Sequence, residues 1–138
     1  MIDSPDSYLF VYGTLMRRFE HPMHEFLMTH AEYLCDGSFQ GKLYRISWYP
    51  AVVPSSNSAD KVYGEVYRIR DTKILFKTLD NYEMCAPDDS TSGEYTRQIA
   101  GIRIANGETL GCHIYLYNWK LDEAQHIPSG KFTSMVGP

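Results

Sequence analysis

The sequence predicts an α+β fold: a small β-barrel of mostly antiparallel strands carrying two short helices, in a single domain over residues 1–138. Three observations predict it. Short apolar and aromatic runs of strand length recur along most of the chain. Only two stretches space their apolar residues as a helix does, too few for the alternating units of a doubly wound sheet. Asn106-Gly107 stands between two strand-like runs, a strong hairpin signal.

In chain order, Tyr8 to Tyr12 (YLFVY) reads as a buried strand ending at Gly13, a residue free to take backbone angles that others avoid. Over Pro22 to Met28, the residues Met23, Phe26 and Leu27 recur at helical spacing and predict the first helix. Strands follow at Ala31 to Cys35, Phe39 to Ile46 and Lys61 to Arg68, and Ser55 to Asp60 (SSNSAD) is a loop too brief for a domain boundary. Pro50 and Pro54 fix the backbone of Tyr49 to Pro54, which reads as a stiff wall or a loop packed on the barrel mouth. Asp71 suits the N-cap of a second helix from Thr72 to about Glu83, with Leu75, Leu79 and Tyr82 on one stripe and Lys73, Lys77 and Asn81 away from it. Pro87 and the loop Asp88 to Gly93 end that element. Thr96 to Ile104 and Leu110 to Tyr117 form the hairpin arms, and the tail from Pro128 reads as irregular.

Charge and cysteine usage narrow the function. The net charge is -4 and the basic residues Arg17, Arg18, Lys42, Arg68, Arg70 and Arg103 are scattered, which argues against a nucleic-acid partner. No apolar run approaches membrane-spanning length, and Met1 to Ser7 lack the basic-then-apolar plan of a secretory signal. Cys35, Cys85 and Cys112 are widely spaced and odd in number, neither a metal signature nor a disulfide framework. No glycine-rich phosphate loop is present. The expectation is a cytoplasmic protein with no cofactor, no metal, and no membrane or nucleic-acid partner. The oligomeric state is left open. The eleven tyrosines, each with an apolar body and a polar tip, suit a barrel with a partly wet interior.

Four separated motifs carry more specific information. They are Tyr12-Gly13-Thr14-Leu15; Gly41-Lys42-Leu43-Tyr44 leading into Tyr49-Pro50-Ala51-Val52-Val53-Pro54; Val62-Tyr63-Gly64-Glu65-Val66-Tyr67; and Leu79-Asp80-Asn81-Tyr82-Glu83 followed by Tyr95-Thr96-Arg97. Ile127-Pro128-Ser129-Gly130 is a weaker fifth. In order and spacing they resemble the γ-glutamyl cyclotransferase-like family, which includes the plant avirulence-induced proteins, over nearly the whole chain. Met84 departs from the pattern, since many relatives carry glycine there.

The resemblance implies internal aminolysis. The α-amine of a γ-glutamyl group attacks its own side-chain carbonyl, closes 5-oxoproline and expels an amine, with one carboxylate moving the protons. It implies a small-molecule γ-glutamyl substrate, Glu83 as the general acid/base, a substrate-binding loop of Tyr12, Gly13, Thr14 and Leu15 whose amides hold an anion, and Tyr115 lining the pocket. Two readings of another class stay open: a barrel that binds such a ligand without turnover, and transfer of the glutamyl group to a second amine.

The residues themselves bear on these roles. Glu83 falls at the edge of the Leu75, Leu79 and Tyr82 stripe and at a helix C-terminus, where burial and the dipole both favour its protonated form. The commoner fate of such a glutamate is a solvated helix end. Glu65, between Tyr63 and Tyr67, either points into the barrel or faces solvent or an arginine. Cys85 is the nearest candidate nucleophile, whereas Cys112 and His113 diverge as strand neighbours. His21, His24 and His30 read as helix-surface residues rather than metal ligands. Asp88, Asp89 and Glu94 read either as a charged pocket rim favouring a cationic leaving group or as a solvated turn.

Overall fold

The computed structural model describes residues 8–13, 22–46, 49–82, 94–121 and 125–132. Among them the elements run β1 (Tyr8–Val11), α1 (Pro22–His30), β2 (Ala31–Phe39), β3 (Gly41–Ile46), β4 (Tyr49–Pro54), β5 (Val62–Ile69), α2 (Thr72–Tyr82), β6 (Tyr95–Ile104), β7 (Thr109–Tyr117) and β8 (Gln125–His126). Strands β1, β5, β2, β6 and β7, in that spatial order, close into a barrel, while β4, β3 and β8 form a separate three-stranded sheet. The barrel pairs are antiparallel except β1 with β7, which run parallel and complete the closure. The fold class is the predicted one. No helix among the described residues is long and apolar enough to cross a membrane.

Register decides which side chains face inward. Phe10 lies opposite Val66, and a Cβ added to Gly64 or Gly37 would touch Phe10, Val66 or Ile102, so these residues share the barrel interior. Leu9 lies opposite both Tyr67 and His113. Those two rings meet His24 of α1 at 6.3 Å and Phe76 of α2 at 4.5 Å. The alternate face therefore lies outside, under the two helices. Along β7 the same alternation sends Cys112 and Ile114 inward and His113, Tyr115 and Tyr117 outward. Phe10, Val66, Ile102 and Ile114 are all buried, each worth about 1.5–3 kcal/mol over exposure. Tyr67, Tyr95, Tyr115 and Tyr117 occupy the outer face, whereas Tyr8 and Tyr12 share the side of Phe10.

Several boundaries differ from the expectation. Tyr49–Pro54 is a regular strand and not a loop. Its prolines are four residues apart and turn the same side of the strand, and β4 is the edge of its sheet, where a missing N–H is tolerated. Phe39 ends β2 instead of opening β3. The hairpin turn spans Ala105, Asn106 and Gly107, with Gly107 at φ 85°, and the N–H of Ile104 donates to the carbonyl of Glu108. In the tail, Gly130 takes φ 72° and a Cβ there would fall 1.8 Å from the Lys61 carbonyl oxygen, while its own carbonyl accepts the N–H of Tyr63. That close approach explains the glycine of the fifth motif.

Helix α2 is built as predicted at its start. The carboxylate of Asp71 accepts the N–H of Ile74 at 3.3 Å, as an N-cap does. Leu75, Phe76 and Leu79 are buried against the barrel, with Lys73, Ile74 and Lys77 exposed. The described helix runs to Tyr82, and Glu83 lies outside the described residues.

Candidate functional site

The end of β1 meets helix α2 through a chain of polar contacts that passes through Tyr115. Gly13 sits against Pro50 of β4 so closely that a Cβ would lie 2.4 Å from the ring carbon Cγ. Its φ is not in the left-handed region, so glycine is required here by contact and not by backbone angle. Pro50 is held from the other side, where the hydroxyl of Tyr95 donates to its carbonyl at 2.5 Å. The hydroxyl of Tyr12 donates to the backbone carbonyl of Tyr115. The Tyr115 hydroxyl in turn donates to Asp80 Oδ1 of α2 at 2.6 Å.

Asp80 is the centre of this arrangement. Arg97 of β6 donates to it twice, from Nε to Oδ1 at 2.9 Å and from Nη2 to Oδ2 at 3.4 Å. Hairpin register places Arg97 opposite Tyr115, which brings both to the same carboxylate. The guanidinium lies 3.9 Å from the centroid of Phe76, which itself touches His113. Arg97 Nη1 is 3.0 Å from His113 Nδ1. A guanidinium only donates, so this nitrogen accepts and the neutral ring carries its proton on Nε2. Phe76, Asp80, Arg97 and His113, with residues from the start of α2, line an open cleft of about 420 Å³.

The structure brings Tyr12, Gly13 and Tyr115 together. Thr14, Leu15 and Glu83 lie outside the described residues, as do Cys85, Asp88, Asp89 and His21. Glu65 neither points into the barrel nor faces solvent: it is buried on the barrel's outer face, opposite Val11, and accepts the hydroxyl of Tyr67 at 2.9 Å. Glu94 is also buried rather than a solvated rim charge, and its carboxylate helps burial push the Tyr117 phenol up. Burial, and then Cys35, push the Cys112 thiol up to about 12, which leaves it neutral and a poor nucleophile. His24 and His30 pack on Tyr67 and Phe26. The sequence reading held Asp80 and Arg97 within the fourth motif but gave neither a role. The available signal was that motif itself, with the co-facing of Arg97 and Tyr115 across the hairpin.

Comparison with known proteins follows the same lines. The fold matches YkqA from Bacillus subtilis with a TM-score of 0.68 at 24% identity, over 91% of this chain but only 39% of YkqA. It matches ytfP from Escherichia coli with a TM-score of 0.63 at 32% identity, over 90% of this chain and 94% of that one. An AIG2-like protein from Mus musculus matches at 0.59 and 19% identity, over 93% and 95% of the two chains. The search of curated proteins returned no match. The family model described as gamma-glutamyl cyclotransferase, AIG2-like, matches residues 9–134. The chain belongs to the γ-glutamyl cyclotransferase, AIG2-like family.

Proposed function

We propose that this protein cleaves a γ-glutamyl amide by internal attack, releasing 5-oxoproline and a free amine, with Glu83 as general acid/base. Family membership supports γ-glutamyl cyclotransferase-type activity in general. The observation that carries the finer reading is the contact chain from Gly13 and Tyr12 through Tyr115 to Asp80, because Asp80 is three residues before Glu83. Tyr12, at the start of the proposed loop, and Asp80, one turn before Glu83 in sequence, are linked through Tyr115, which supports a shared site.

The substrate α-carboxylate is bound at the Tyr12 to Leu15 loop, which folds the γ-glutamyl chain back on itself. Glu83 takes a proton from the α-ammonium. The freed amine forms a C–N bond to the γ-carbonyl carbon, whose bond to the leaving nitrogen breaks as Glu83 returns that proton to it; the second proton shed by the new ring nitrogen passes through the same carboxylate to the departing amine, which leaves as an ammonium. Atoms and charge balance without a further reactant.

The test is a panel of γ-glutamyl compounds assayed for 5-oxoproline, with Glu83→Gln and Glu65→Gln beside the wild type. Glu83→Gln is expected to keep the fold and to lower kcat by about 10²- to 10⁴-fold, the usual worth of a positioned acid/base. Glu65→Gln is expected to do much less. Wild-type turnover in Glu83→Gln sinks its assignment. A new γ-glutamyl product in place of 5-oxoproline shifts the reading to transfer, and binding with no product shifts it to a ligand carrier.

A further inference from the structure

His113 is a buried titratable residue that the proposed reaction does not use. It lies on the outer face of β7, with Leu9 of β1 and Ile99 of β6 as its register partners. Its ring meets that of Phe76 at 4.5 Å, and its Nδ1 stands 3.0 Å from Arg97 Nη1. The guanidinium is thus fixed from three directions. Nε and Nη2 donate to Asp80, its face lies 3.9 Å from the Phe76 centroid, and Nη1 donates to His113. The Tyr115 hydroxyl joins at Asp80, so side chains from α2, β6 and β7 form one hydrogen-bonded run. Networks of this kind are worth more than their separate bonds.

One member of the run can change its role. Arginine keeps its charge and only donates. Neutral His113 accepts at Nδ1, whereas a proton on that nitrogen makes it a cation that donates from both ring nitrogens. Protonation therefore turns an acceptor into a donor and sets two cations at hydrogen-bond distance. The groups around the ring do not offset that charge. Arg97 faces it from β6, Lys73 and Lys77 line the same cleft from α2, and β1 presents Leu9. Asp80 is the one carboxylate among the described residues lining the cleft, and Arg97 and the Tyr115 hydroxyl already engage it. A cationic His113 and an Arg97 seated on Asp80 oppose one another.

Resting on the cyclotransferase reading, we propose that neutral His113 is a positioning residue for the reaction: it seats Arg97 on Asp80, and its protonation releases this clamp and lowers turnover. The effect reaches the chemistry through Asp80, which is one turn before Glu83 in sequence. With Arg97 released, Asp80 keeps only the Tyr115 hydroxyl among the partners described above, and α2 loses its charged anchor to β6. The acid limb of activity then belongs to His113 as well as to Glu83.

Nitrogen-detected NMR of the full chain tests the coupling apart from turnover. The His113 ring is expected as the Nε2–H tautomer at about pH 8, and still neutral at about pH 6, where most free imidazole is charged. As the ring charges at lower pH, the Arg97 Nε–H signal should shift in step with it. On a γ-glutamyl substrate that yields 5-oxoproline, the acid limb of wild-type kcat should follow the same titration. His113→Phe removes the acceptor and is expected to lower kcat about tenfold at about pH 8 with KM little changed, a part of the about 10²-fold that an ångström of misplacement costs. His113→Gln, whose amide oxygen accepts the same N–H and takes no proton, is expected to recover most of that loss and to move the acid limb to lower pH. A ring that charges as free imidazole does, or an Arg97 signal indifferent to that charge, overturns the proposal. So does wild-type kcat in His113→Phe, or an unmoved acid limb in His113→Gln. If no compound yields 5-oxoproline, the cyclotransferase reading fails, and the two NMR signals alone decide whether His113 controls Arg97.

Discussion

The bond between the Tyr115 hydroxyl and Asp80 should be measurable as a coupling energy. Tyr115 is buried, its hydroxyl is 2.6 Å from Oδ1, and the acceptor is a carboxylate, so the bond belongs to the stronger, charge-assisted class. Such bonds contribute about 1.5–3 kcal/mol when shielded. Asp80 and Arg97 side chains are 30% and 28% exposed, so solvent screens the charge and about 1 kcal/mol is the figure to expect. Asp80→Asn weakens both this bond and the ion pair, for a total of about 1–2 kcal/mol. Tyr115→Phe removes the hydroxyl alone and should cost about 1 kcal/mol. With 138 residues the unfolding entropy is about 0.3 kcal/mol/K, so the single variants should lose about 3–7 °C in Tm. The assay is urea denaturation of wild type, both single variants and the double variant, followed by circular dichroism. The double variant should be about 1 kcal/mol more stable than the sum of single losses predicts. Additivity to within about 0.3–0.5 kcal/mol would show that the two groups do not interact, and the anchoring of α2 through Tyr115 would have to be given up.

The remaining predictions concern close contact and ionisation. Gly13→Ala should cost about 1–3 kcal/mol, because a Cβ 2.4 Å from the Pro50 ring cannot be relieved by a side-chain swing; Pro50→Ala in that background should recover most of the loss in thermal melts. Cys112 ionises at about 12 when folded and near its ordinary 9.0 when unfolded. The unfolded chain then sheds the proton first, so stability falls as pH rises above 9, by up to about 1.4 kcal/mol per unit, until pH approaches 12. Comparison with Cys112→Ala between pH 8 and about 10.5 isolates that slope, and equal slopes would count against a neutral buried thiol.

What the sequence made legible was local. The β1 run, the Asp71 cap with its Leu75 and Leu79 stripe, and the Asn-Gly turn each carry their physical cause within a few residues, and each appears in the structure. Tyr49–Pro54 was hidden because a proline-bearing strand is tolerable only at a sheet edge, and edge position is a tertiary property. The parallel closure of the barrel pairs Leu9 with His113, more than a hundred positions apart, and leaves no local trace.

The same reasoning explains why the site was half read. Tyr12, Gly13 and Tyr115 could be given roles from motif resemblance, whereas Asp80 stood in the fourth motif without one. Its partners come from strands 17 and 35 residues later, so only the folded hairpin delivers Arg97 and Tyr115 to its two oxygens. Glu65 shows the converse. Its strand alternation correctly grouped it with Tyr63 and Tyr67, yet the pattern could not say that this face lies outside the barrel and is buried there, because burial of an outer face depends on what packs over it. Thus the chain's periodicity states which residues share a face, and the docking of α1 and α2 decides what that face does. In this protein the docked outer face, and not the barrel interior, gathers Asp80, Arg97, His113 and Tyr115 into connected chemistry, and Tyr12 joins them from the face of Phe10 through the backbone of Tyr115. Its apolar interior, filled by Phe10, Val66 and Ile102, serves as the rigid support against which that face is held.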